Sequence, residues 1–116
     1  MSNWQPCASP GILRDRAEVL ATIRQFFAER QVLEVDTPVL ASAANPDVAI
    51  ESLASHLKGS PHNEPFFLQT SPEFFMKRLL CAGSGSIYQM CHVFRDDELG
   101  RYHNPEFTML EWYRTG

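Results

Sequence analysis

Apolar residues recur at Leu13, Ala17, Leu20, Ile23 and Phe27, the spacing of one helix face, and leave Arg14, Arg16, Glu18 and Arg24 for water. Ser9 ahead of this pattern and Pro10 at its first helical position predict the helix start. The pattern runs out near residues 29–31. A short strand is predicted over residues 32–36, stopped by Thr37 and Pro38, followed by a loop over 41–47 with Asn45-Pro46 as its turn signal. Residues 48–54 suit a strand, and 56–65, with Gly59, Pro61 and Pro65, suit an exposed turn. A compact buried strand is expected at 66–69. A helix follows over 72–82, with Ser71 or Thr70 as its cap and Gly83 and Gly85 ending it. A hairpin closes the chain: strand 86–95, polar loop 96–104, return strand 105–114. Together these predict one α+β domain over residues 1–116, an antiparallel sheet flanked by helices. There are no internal repeats and no linker that would divide it.

The return strand departs from simple core patterning. Side chains alternate faces along a strand, so Phe107, Met109, Glu111 and Tyr113 share one side, and Thr108, Leu110, Trp112 and Arg114 the other. A buried carboxylate needs a partner, so Glu111 between Met109 and Tyr113 marks that face as more than core. At ~3.4 Å per residue, Phe107 stands ~14 Å from Glu111 and ~20 Å from Tyr113. That reach suits a ligand with an aromatic base at one end and a cationic group at the other. Arg95, Arg101 and His103, in or beside the loop, can hold phosphates between the two ends. Trp112, on the opposite face, is expected in the core.

Composition narrows the setting. Ten Lys and Arg against fourteen Asp and Glu give a net charge of −4, so no general basic footprint for a polyanion is present. Cys7, Cys81 and Cys91 lack metal-ligand or disulfide spacing and fit reduced cytosolic thiols. No apolar run approaches the ~20 residues of a membrane span, and the N-terminus lacks a signal-peptide core. A cytoplasmic protein is expected. No Ser/His/Asp or Cys/His arrangement suggests nucleophilic catalysis, and no metal site is expected from the chain's own residues.

Residues 94–114, FRDDELGRYHNPEFTMLEWYR, are long and chemically unusual, and they resemble motif 2 of the class II aminoacyl-tRNA synthetases. Residues 9–38, ending in VLEVDTPVL, resemble motif 1 of the same family, which forms its dimer interface. TSPEFFMKRLL, residues 70–80, resembles a third signature of the lysyl branch. That branch contains the lysyl-tRNA synthetases and shorter paralogues that transfer (R)-β-lysine to a lysine of elongation factor P. The WQPCAS opening, the GRYHN loop and a motif 1 lying close to Met1 favour the paralogues. The alternatives are tRNA as acceptor, or a non-catalytic module kept for dimerisation or regulation. The family's glycine-rich motif 3 has no counterpart here. The resemblance therefore implies an N-terminal part of the catalytic domain, not expected to complete adenylation alone.

What the resemblance implies for individual residues can be stated position by position. Arg95 is the catalytic cation, gripping the ATP α-phosphate. Asp96 and Asp97 stand where the family usually has Asn-Glu beside the adenine, so Asp97 keeps a carboxylate on a shorter stem. His103 reaches the distal phosphates, Asn104 lines the ATP site, and Phe107 stacks on adenine. Ser71, Pro72 and Glu73 form the turn that closes over the substrate's amino group, and Glu111 and Tyr113 bind an amino group of lysine or β-lysine. By sequence alone Glu73 has plainer roles as well, in a Thr70–Glu73 capping box and an (i, i+4) pair with Lys77. Mg²⁺ is implied by ATP, with its acidic ligands outside this chain.

Overall fold

A computed structural model describes residues 4–96 and 100–116. Helix α1 spans Pro10–Ala28 and opens as its sequence dictates, with Ser9 Oγ accepting from the Ile12 N–H at 3.3 Å. It closes where Gln31 adopts a left-handed backbone, φ 55°, and the Val32 N–H turns back to the Phe27 carbonyl at 3.0 Å. Strand β1, Leu33–Glu34, follows directly.

Two small sheets make up the rest. The first has β1 beside β5 (Ile87–Phe94) and β5 beside β6 (Glu106–Tyr113). β5 and β6 are antiparallel, but β1 runs parallel to β5, so this sheet is mixed and not wholly antiparallel as expected. The parallel pair arises because everything between residues 35 and 86 forms a crossover. That crossover holds the second sheet, β2 (Leu40–Ala41), β3 (Ala54–Ser55) and β4 (Phe66–Leu68), antiparallel in the order β2-β4-β3. It also holds a short 3-10 turn at Pro61–Asn63 and helix α2, Glu73–Cys81.

The strand expected over 48–54 reduces to Ala54–Ser55, because residues 47–50 close a turn (Ile50 N–H to the Asp47 carbonyl, 3.2 Å) and Val48 lies fully in solvent. At α2 the cap is also built differently from the expectation. Pro72 takes the N-cap position and Ser71 Oγ accepts weakly from the Glu73 N–H at 3.4 Å. Thr70 is engaged elsewhere, its Oγ1 accepting from Asn45 Nδ2 at 2.6 Å, so the Thr70–Glu73 capping box does not form. The Glu73–Lys77 pair does form. Gly83 and Gly85, at φ 86° and 75°, end the helix as expected, since a left-handed backbone there favours glycine.

The core lies between α1 and the first sheet. Phe27 stacks on Tyr88 with ring centroids 4.2 Å apart and planes 12° from parallel, and Val32, Ile23, Met90 and Leu110 pack around them. Polar links pin α1 to the sheet's edges. Arg24 binds both carboxylate oxygens of Glu34 at 3.1 Å, Tyr88 Oη donates to Glu34 at 3.0 Å, and Arg16 Nη2 donates to Thr108 Oγ1 at 2.9 Å. Trp112 departs from the expectation of a core residue. It touches Phe27 at 6.1 Å but stays 53% exposed, because α1 crosses only part of this face. The first half of α1 is likewise uncovered, with Leu13 and Val19 more than half exposed. The radius of gyration, 17.0 Å, exceeds the ~13 Å of a close-packed domain of this length, in keeping with apolar faces that the chain does not cover itself. No described helix is long and apolar enough to cross a membrane.

Candidate active site

The β5–β6 ladder pairs Val93 with Phe107, Cys91 with Met109, Gln89 with Glu111 and Ile87 with Tyr113. Directly paired residues share a face, so these eight side chains form one floor, and it is the face opposite α1. The turn before α2 and the loop over 45–50 rise along it. Between them lies a cleft of about 570 Å³, within the range of small-molecule sites. Ser71, Glu73, Arg95 and Glu111 all line it, together with Asn45, Asp47, Thr70 and Met109.

Each polar side chain in the cleft has an identifiable restraint. Arg95 comes off the end of β5, anchored by its backbone N–H to the Pro105 carbonyl at 2.9 Å. Its Nε donates to the Thr70 carbonyl at 3.4 Å, and its guanidinium lies 5.3 Å from the centre of the Phe107 ring. A planar cation and an aromatic face are thus adjacent at one end, a combination suited to a phosphate and a base. At the other end Tyr113 Oη donates to Glu111 Oε1 at 2.6 Å, and Glu111 lines the cleft. Glu73 holds Lys77. Pro72 is buried at the start of α2 and shapes the turn without lining the cleft.

The buried glutamines at the floor are each half satisfied, since Gln89 Nε2 and Gln69 Oε1 find no hydrogen-bond partner among the described residues. Thr37 Oγ1 donates to Gln89 Oε1 and Gln69 Nε2 to the His92 carbonyl, both at 2.9 Å. Cys91 is half-buried among these groups, and burial pushes its thiol up from the ordinary range. A thiol shifted that way is a poor nucleophile at neutral pH.

Burial, then the hydrogen bond donated to Glu111 and the charges of Glu111 and Glu73, push the Tyr113 phenol well above its ordinary value of 10.0. Tyr88 is raised too, by burial first and then by Glu34. The unfolded chain releases these protons near pH 10 and the folded chain holds them to higher pH. The stability tied to them is therefore complete below pH 10 and falls as pH climbs past it. Urea unfolding at pH 9 and pH 11 should show a smaller loss for Tyr113→Phe than for the unmodified chain. An equal loss would contradict the Tyr113 assignment.

The remaining expected residues lie apart from the cleft. Asp96 is exposed, its N–H bonded to the Glu51 carbonyl at 3.1 Å, and His103 and Asn104 are exposed in the turn where Gly100 and His103 pair. Asp97 lies outside the described residues. The pattern reading missed Asn45, Pro46 and Asp47, taking them only as loop, and Ile50, which it placed in the expected strand over 48–54. Their signal was the Asn-Pro-Asp string itself: Asn45 Oδ1 accepts from Asp47 N–H at 3.0 Å and Asp47 Oδ1 from Ala49 N–H at 2.9 Å, a self-capped turn.

Comparison with known proteins gives the chain's family. The family model described as tRNA synthetases class II (D, K and N) matches residues 8–115. The chain belongs to that family. Within this class II family it is 56% identical, over 99% of its length, to the elongation factor P–(R)-β-lysine ligases of Vibrio atlanticus (strain LGP32) and Vibrio parahaemolyticus serotype O3:K6 (strain RIMD 2210633). The ligase of the same name from Edwardsiella ictaluri (strain 93-146) is 54% identical over 98% of the chain. Each match takes in 36% of the relative, so the chain spans about a third of the length of the curated relatives it matches.

Proposed function

We propose that this chain contributes the motif 1 and motif 2 part of an ATP-dependent ligase that activates (R)-β-lysine, or lysine, and passes it to a lysine of elongation factor P. The supporting observation is a cleft lined by Ser71, Glu73, Arg95 and Glu111, with Phe107 beside the Arg95 guanidinium and Tyr113 bonded to Glu111 at its margins. Phe107 stacks on the adenine, Arg95 grips the α-phosphate, and the carboxylates take the substrate's ammonium groups through charge-assisted hydrogen bonds. Asp96 and Asp97 meet the adenine, Asn104 lines the ATP site and His103 reaches the distal phosphates. A carboxylate oxygen of the amino acid bonds to the α-phosphorus, the bond to pyrophosphate breaks, and Arg95 stabilises the charge that grows there. The amine of the acceptor lysine then attacks the acyl carbon, and AMP leaves.

Magnesium would accompany the ATP. The carboxylates lining the cleft do not fit a cage for it: Glu73 is paired with Lys77, Glu111 with Tyr113, and Asp47 caps its own turn. No step is assigned to a metal held by this chain. The uncovered apolar residues of α1 support a homodimer formed through residues 9–38. A cytoplasmic site of action follows from the acceptor. The family model also admits tRNA as acceptor, which makes a lysyl-tRNA synthetase part the second reading.

Equilibrium binding of ATP, (R)-β-lysine and L-lysine, followed by side-by-side assay of labelled elongation factor P and tRNA, tests the proposal. Both amino acids should bind, (R)-β-lysine more tightly, and any transferred label should appear on elongation factor P. Label on tRNA would favour the second reading. ATP binding with no affinity for either amino acid would leave only the non-catalytic module.

A further inference from the structure

Lys77 sits one helical turn beyond Glu73 on α2, and its ammonium is held by the Glu73 carboxylate. Glu73 is not simply a surface acid, because with Glu111 it is one of the two glutamates lining the cleft. The hydrogen bond and charge of Glu73 raise the Lys77 ammonium's hold on its proton, and the charge of Glu111 adds to it. An ammonium of the chain's own therefore lies in the field of both cleft carboxylates. The lysine stem is free to move: the side chain is 53% exposed and also borders an adjoining trough with Phe74, Phe75 and Arg78.

We propose that Lys77 is a specificity-determining residue of the cleft, an internal counterion that occupies Glu73 until the amine of an incoming amino acid displaces it. The proposal rests on the assignment of the cleft to an amine-bearing substrate and adds the means by which weaker amines are refused. A tethered ammonium competes at high effective concentration, so a ligand with a single amine and no second contact loses to it. A ligand that also engages the Glu111–Tyr113 end can displace it. The displaced Lys77 swings to water at little cost, as long lysine stems do. Occupancy by Lys77 lowers the apparent affinity of a ligand held at Glu73 alone by the fraction of molecules in which Glu73 is open, and lowers it less for a ligand that the Glu111–Tyr113 end holds while Lys77 stays in place.

Calorimetric titration of the chain with L-lysine, n-butylamine and ATP, in Lys77→Met, Lys77→Arg and Glu111→Gln variants, tests this. Lys77→Met should bind lysine about threefold tighter or more, as the blocked fraction opens. It should gain still more for n-butylamine, narrowing the discrimination, while its ATP affinity stays unchanged. Lys77→Arg, which keeps the cation, should behave as the unmodified chain. A purely structural helix pair predicts no gain, so lysine affinity unchanged or weakened in Lys77→Met, with lysine still lost in Glu111→Gln, overturns the proposal alone. Lysine binding that survives Glu111→Gln, or that is absent from every variant, overturns the amine-site assignment and this inference with it.

Discussion

Glu111→Gln should weaken lysine or β-lysine binding by about 30-fold or more while leaving ATP affinity within about twofold. The size follows from what the substitution removes. Glu111 stands on the floor with one oxygen already accepting from Tyr113 at 2.6 Å, so its charge is oriented before any ligand arrives. Removing one member of a desolvated, hydrogen-bonded charge pair costs about 2–5 kcal/mol, because the partner's charge is left without its counterpart. Glutamine keeps the shape, so the floor should survive. The nucleotide end depends on Arg95 and Phe107, several residues away along the same strands, and has no reason to follow. Titration calorimetry with each ligand separates the two effects. Equal loss of both would mean that Glu111 holds the fold together and does not select the amine.

The largest effect on stability belongs to Phe27→Ala. Phe27 is the end point of α1's apolar stripe, 5% exposed, stacked on Tyr88 and surrounded by Val32, Ile23, Met90 and Leu110. Truncating a buried phenylalanine costs about 3–5 kcal/mol, the transfer of the ring plus the cavity it leaves. Domains have only about 5–15 kcal/mol in hand, so urea denaturation should show a large fall in midpoint with an unchanged slope. Trp112→Ala, at a residue 53% exposed, should cost far less. The opposite ranking would show that the helix–sheet core is not where this chain's stability lies.

The parts legible from sequence are those governed by local periodicity. Nineteen residues with a helical stripe and a serine cap could hardly be anything but α1. The alternation from Phe107 to Tyr113 put Phe107 and Glu111 on one face, as the ladder has them. The parts that escaped depend on what the chain meets in three dimensions. Asn45 and Thr70 are 25 residues apart and meet because β2 and β4 pair, which no local pattern records. The parallel β1–β5 pair likewise follows from the path of the crossover. Trp112 was misjudged because a hydrophobic residue opposite a functional face is buried only if something covers it, and α1 reaches just to its edge. Glu73 carried two plain roles by spacing, and only the Lys77 pair formed, because Thr70 turned to Asn45.

The central claim is that one floor lays out base, phosphate and amine sites in line. The most direct measurement is a crystal structure of the chain with a non-hydrolysable lysyl-adenylate analogue. The account predicts the adenine against Phe107, the phosphate mimic on Arg95, and the side-chain ammonium within hydrogen-bond reach of Glu111. An analogue found on the α1 face of the sheet, or lying in the cleft with its ammonium away from Glu111, would contradict it.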